Sequence, residues 1–229
     1  MTETIAQVSD PFRTGKAYTI AQAAALAQTS AGTIRNWLFG DPDRMEPVLI
    51  GRSRNSHGIQ RVSFLELLDL VVVARYRRWR IDLEKIREAH KFAQREWELA
   101  YPFASLNLLP LGGHVLRQYE ELQKTSGQFV VMTSPGQFVL PEIVQDAVRN
   151  FDFDSENQDP FATRWHCYGR DVPVVVDPHF GGGMPTVEGS GVTVDIIVKR
   201  RKAGETKRSI ANDFNLPFST VDQVLKHAA

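Results

Sequence analysis

The sequence predicts an α+β fold, mainly helical. It comprises a winged helix-turn-helix over residues 17–100, a small acidic β-rich middle over 101–170, and a helical, helix-turn-helix-like three-helix domain over 171–229. Three observations predict it. Helical periodicity is confined to the two ends of the 229-residue chain, whereas the middle carries Pro, Gly and β-prone runs such as Phe129-Val130-Val131-Met132. Each end holds short helical patterns separated by a tight turn. The 27 basic and 27 acidic residues cancel overall but divide unevenly: 15 against 12 over 1–100, 5 against 11 over 101–190, and 7 against 4 over 191–229. The basic excess therefore sits on the helical ends. An apolar share of 42% and a charged share of 24% exclude wholesale disorder.

Ile20–Ala27 is a run of strong helix formers, and Ser30 then offers a capping oxygen to a second helix through Gly32-Thr33-Ile34-Arg35-Asn36-Trp37-Leu38. With Ala24, Leu26, Ile34 and Trp37 or Leu38 inward, Thr33, Arg35 and Asn36 point outward. Arg and Asn each make bidentate hydrogen bonds to a base edge, so this exposed face has the chemistry of a major-groove reader. Pro47–Gly51 and Ile59–Val62 then read as two strands of a wing, joined by a loop bearing Arg52 and Arg54. Arg44, Arg52, Arg54 and Arg61 against Glu46 give 44–61 a net charge suited to phosphates. The expected DNA-binding residues here are Ser30, Thr33, Arg35, Asn36, Arg52, Arg54 and Arg61.

The order Tyr18-Thr19-Ile20, Ala24, Leu26, Ser30, Thr33-Ile34-Arg35 resembles the start of the MerR family, whose motif runs Tyr-Thr-Ile, Ala, Leu, Ser, Thr-Leu-Arg at the same spacing. It departs where Gln28 stands for the family's turn glycine and where Asn36-Trp37 replaces an aromatic pair. The resemblance implies a winged, DNA-binding, dimeric module.

Ser63 can cap a helix whose Phe64, Leu65, Leu67, Leu68, Leu70, Val71, Val72 and Val73 are apolar over more than one face. Such a helix needs two coverings, the winged domain and either more of this chain or a partner subunit. Leu83, Ile86, His90, Ala93 and Trp97 then form a heptad-like stripe that could close the same core or meet a second copy in a homodimer. Two-fold symmetry would set two reading helices one DNA turn apart, ~34–36 Å.

The middle is expected to hold strands near 113–119, 128–133 and 137–140 and a helical run over 142–149. Asp152, Asp154, Glu156 and Asp159 lack the Gly and Glu positions of a calcium loop, where Asn157 and Thr163 stand. His166, Cys167 and His179 match no metal or thiol-nucleophile spacing, and Gly181-Gly182-Gly183 lacks the Lys-Ser/Thr of a phosphate loop. No catalytic set, metal site or cofactor is expected. The lone Cys167 and the missing signal-peptide pattern point to a reducing cytoplasm. The longest apolar stretch, within Phe64–Ala74, is interrupted by Glu66 and Asp69 and falls short of the ~20 residues of a membrane span.

Toward the carboxyl end, Thr193 or Asp195 starts a helix with Val194, Ile197 and Val198 inward and Lys199-Arg200-Arg201-Lys202 at its end, where cations suit the helix dipole. Glu205–Phe214 and Phe218–His227 follow, with Asn215 in the left-handed turn and Val221 and Val224 or Leu225 packing on Ile210 and Ala211. Ser219, Thr220, Asp222 and Gln223 would be exposed. Lys207, Arg208, Ser219 and Thr220 are candidate DNA contacts of this second pair, with Asp222 opposing phosphate approach.

Asp177-Pro178, Gly183-Met184-Pro185-Thr186-Val187-Glu188-Gly189 and Ala203-Gly204-Glu205-Thr206 with Ile210-Ala211 resemble a small domain of unknown function over roughly 172–228. A MerR-like module joined to this domain is similar to a group of VapB-type antitoxins encoded beside PIN-domain ribonuclease toxins. That resemblance implies neutralisation of the toxin by complex formation and repression of the shared operon through operator DNA. The other reading is a stand-alone ligand-responsive regulator with 101–170 as its sensor.

Overall fold

A computed structural model describes residues 8–41, 46–49, 60–96, 98–105, 149–154 and 159–228. The fold is α+β, with helices and short two-stranded antiparallel sheets. The chain divides into two compact units, Met1–Arg149 with Phe153–Ala162, and Asn150–Asp152 with Thr163–Ala229.

The first unit opens with α1 (Pro11–Thr14), capped by Asp10, and β1 (Tyr18–Thr19). Thr19 caps α2 (Ile20–Leu26) through a reciprocal box with Gln22, the arrangement that satisfies two otherwise orphaned amides at a helix start. After a turn in which the Thr29 amide donates to the Ala24 carbonyl (2.9 Å), Ser30 caps α3 (Ala31–Phe39). Ile34, Trp37 and Leu38 are buried, as the helix pair requires, whereas Leu26 is only half-buried. Gln28, in the turn between the two helices, takes φ 54°.

Of the expected wing, the strand at Pro47–Leu49 is corrected, and the pairing across 50–59 lies outside the described residues. β2 (Arg61–Val62) pairs with β1, Tyr18 opposite Val62 and Thr19 opposite Arg61. Pro47–Leu49 is not a strand: the Val48 and Leu49 amides both donate to the Trp37 carbonyl (2.8 and 3.1 Å), and both side chains are fully buried. Their apolar run reflects burial, which a strand and an irregular segment share. The loop with Arg52 and Arg54 lies outside the described residues.

Helix α4 (Phe64–Arg78) starts on a Ser63–Glu66 capping box and is buried on every face from Phe64 to Ala74. Both coverings come from its own chain: α1, α2, α5 (Leu83–Glu96) and a 3₁₀ turn at Pro102–Ala104 all pack on it. Its two buried acids are engaged, Glu66 by the Ser63 amide (2.6 Å) and Lys16, and Asp69 by the Phe103 amide (3.1 Å). Ile86, His90 and Ala93 of the α5 stripe are buried in the same core, so this seam is filled within the chain. Trp97 lies outside the described residues.

Arg13, itself buried, closes the unit by donating to the Phe161 carbonyl (3.3 Å) and pairing with Asp10 and Asp159. Asp159 therefore neutralises an arginine. The strands expected at 113–140 and the helix over 142–148 fall outside the described residues.

In the second unit, β5 (Val174–Val175) pairs with β6 (Thr186–Val187), and Trp165 of β4 (Ala162–Trp165) bridges to Val176; β3 (Phe151–Phe153) is the partner of β4. The Gly-rich passage is a formed turn. Gly181 has φ 58°, and a Cβ there would lie 2.3 Å from Thr186 Oγ1, so only glycine fits. Helices α6 (Val194–Lys202), α7 (Lys207–Asp213) and α8 (Phe218–His227) enclose a core of Val174, Val187, Val194, Ile197, Ile210, Ala211, Val221 and Val224. Asn215 takes the left-handed turn at φ 52°.

Candidate nucleic-acid interface

The first helix pair presents its polar face as its packing dictates. Burial of Ile34, Trp37 and Leu38 turns Arg35 and Asn36 fully outward, one helical step from each buried neighbour. Ser30 and Thr33 serve the helix start: the Thr33 amide donates to Ser30 Oγ (3.0 Å), and the two hydroxyls share a hydrogen bond of 2.8 Å. No carboxylate stands in the first turn of α3, and none of the described ion pairs takes Arg35. Among the described residues, an arginine and an asparagine thus stand side by side on an exposed helix with no acid in its first turn and no ion pair to Arg35, as base-edge recognition demands.

Arg61 is exposed at the sheet edge, with Nη1 donating to the Ala17 carbonyl at 2.7 Å. A second basic feature went unnoticed in the sequence because α4 reads there as a core helix. Its end carries Arg77, Arg78, Trp79 and Arg80, all exposed, with Trp79 at 61%. Arg78 Nη2 donates to the Ala27 carbonyl (3.3 Å), which ties this end of α4 to the turn between α2 and α3. The available signal was four arginines among six residues at a helix end with an aromatic between them.

The second helix pair is likewise joined through a left-handed residue but differs in its electrostatics. Asp222 accepts from Lys207 (2.6 Å) and pairs with Lys226 (2.7 Å). The Lys207 and Lys226 ammonium groups hold its carboxyl down to about 2. Arg200 is clasped by Glu205 and Asp213 and stacks over Phe214 at 5.0 Å, and those hydrogen bonds raise its affinity for its proton. Lys199 pairs with Asp195 at 2.6 Å. Arg208 and Ser219 are exposed, whereas Thr220, expected on the exposed face, is buried at 8% beside Val221 and Val224. Position 220 lies four residues before Val224, so it falls on the inward stripe.

Two groups weighed in the sequence, Asp152 and Cys167, sit in structural surroundings. Asp152 receives His166 Nε2 (3.0 Å), Arg170 (2.9 Å) and Arg164 (3.0 Å). Burial pushes its carboxyl up, but the hydrogen bonds and charges of Arg170, His166 and Arg164 outweigh this and hold it below its ordinary range. Burial pushes the Cys167 thiol up to about 12, which leaves it protonated and unreactive at neutral pH. Among the described residues, no three His, Cys, Asp or Glu side chains gather as metal ligands, and no helix is long and apolar enough to cross a membrane.

The fold and this face define a two-unit α+β chain with an exposed Arg-Asn helix in its first unit. Residues 174–228 match the family described as Protein of unknown function (DUF433). Over 225 residues the chain is 25% identical to the protein of Mycobacterium tuberculosis (strain ATCC 25618 / H37Rv) named "Putative antitoxin VapB45", with 90% of each covered. The crystal structure of Rv2018 from Mycobacterium tuberculosis shares the fold, with a TM-score of 0.71 at 23% identity over 92% of this chain and 97% of that one.

Proposed function

We propose that this protein is the antitoxin of a toxin–antitoxin pair, binding operator DNA through α3 and neutralising a PIN-domain ribonuclease toxin encoded beside it. The observation that carries the antitoxin reading is likeness along nine-tenths of the chain to a protein bearing that name. The exposed Arg35 and Asn36, with Arg35 in none of the described ion pairs, support DNA reading by the first unit. Arg52, Arg54 and Arg61 are the residues assigned to phosphate contact, the exposed Arg61 having one guanidinium nitrogen committed to the Ala17 carbonyl. Lys207 is held by Asp222 and Thr220 is buried, which leaves Arg208 and Ser219 exposed among the contacts expected of the second helix pair. A homodimer would match two-fold operator half-sites, and its interface would lie elsewhere than the filled α5 stripe.

The antitoxin reading is tested by coexpression with the product of the adjacent small gene. A stable complex and rescued growth are expected; neither a complex nor rescue would reject it.

A further inference from the structure

Arg87 of α5 carries no chemistry at the exposed face, yet its guanidinium grips the backbone that follows the reading helix. Its Nε donates to the Pro47 carbonyl (3.0 Å) and its Nη2 to the Glu46 carbonyl (2.9 Å). One turn on, Lys91 Nζ lies 3.4 Å from the Glu46 carboxylate. The other side of the same short segment is bound to α3, since the Val48 and Leu49 amides both donate to the Trp37 carbonyl. Residues 46–49 are therefore a strap between the last turn of α3 and α5. Its two buried apolar side chains fix it in depth, and its hydrogen bonds fix it along its length. Pro47 has no amide to give, so the 46 and 47 carbonyls are its polar anchors toward α5. Donors from a charged guanidinium are the stronger kind, and a planar fork reaches two successive carbonyls where an ammonium cannot. On the inner side of α5, Ile86, His90 and Ala93 are buried in the core around α4. The strap is thus moored to a helix whose inner side lies in the buried core.

We propose that Arg87 is a positioning residue for DNA recognition: it holds the 46–49 strap on which the carboxyl end of α3 is seated, and so fixes the angle at which Arg35 and Asn36 meet the groove. This rests on the reading of α3 as a DNA-facing helix. Arg87 acts through the strap and touches no nucleic acid.

The test uses the full chain and a duplex spanning the region upstream of its own gene, with a scrambled duplex as control, titrated from 50 to 200 mM salt. Arg87→Ala should weaken the upstream duplex about tenfold with the salt slope unchanged, because no phosphate contact is lost; Arg54→Ala should instead lower that slope by about one unit. Arg87→Lys should restore only part of the affinity. Amide exchange should accelerate at Val48 and Leu49 in Arg87→Ala while the α4 amides keep their protection. Unchanged affinity, a slope lowered by one unit, full rescue by lysine, or loss of protection across α4 would each overturn the assignment. Failure of the unmodified chain to bind either duplex would instead reject the DNA reading on which the proposal rests.

Discussion

The two helix pairs, α2–α3 and α7–α8, solve the same packing problem with the same arithmetic and arrive at opposite surfaces. Each buries an isoleucine, Ile34 or Ile210, at the crossing, and each turns the chain through a left-handed residue, Gln28 at φ 54° or Asn215 at φ 52°. In the first pair the outward helix offers Arg35 and Asn36, with no acid in its first turn and Arg35 in none of the described ion pairs. In the second, Asp222 sits between Lys207 and Lys226, and Asp213 together with Glu205 holds Arg200 of the neighbouring α6. The lesson is that the hydrophobic period builds the pair, while the placement of carboxylates decides whether its outer face can approach a polyanion.

The packing half of this comparison is broken hardest at the two crossings. Ile34→Ala and Ile210→Ala should each cost ~2–5 kcal/mol, since both side chains are fully buried. Melting of the two variants, followed by amide exchange, should show each loss centred on its own unit. A small effect at either site would mean that the pair is held by something other than this crossing.

The electrostatic half is sharpened at Asp222. Its carboxyl is depressed to about 2 in the folded chain against an ordinary value of 3.8, so its stabilising effect is present above pH ~4 and disappears as pH falls toward 2. Acid melting of the second unit should follow that window, and Asp222→Asn should remove this part of the dependence. The same variant releases Lys207 and Lys226 and should raise salt-sensitive affinity for random duplex DNA. Unchanged affinity would show that the carboxylate is not what keeps this face from DNA.

The smallest effect is at the turns. Gln28→Gly should stabilise by ~0.5–1 kcal/mol, because a side chain with a Cβ pays for a left-handed backbone that glycine adopts freely. Asn215→Gly should gain less, since asparagine tolerates that conformation. Thermal melting of the two variants checks the order.

Much of this was legible wherever local chemistry sets local structure. Ser30 and Ser63 mark their helix starts, the Phe218–His227 span follows from its period, and Asn215 follows from its tolerance of positive φ. What the residues did not reveal depends on partners distant in the chain. The second covering of α4 comes from α1 and from Pro102–Ala104, which no periodicity in α4 can announce. Pro47–Leu49 looks like a strand because burial, not pairing, selected its side chains. The positive residues are the clearest case: Arg61, Arg78 and Arg87 each grip a backbone carbonyl, and charge counting cannot separate such an arginine from one that meets phosphate.

The central claim is that α3 reads sequence, and Arg35→Ala tests it most directly. Binding to the upstream duplex and to random duplex should be compared at matched salt. The account predicts a loss of ~1–3 kcal/mol on the upstream duplex, confined to one base position and nearly absent on random DNA. Equal losses on both would contradict it.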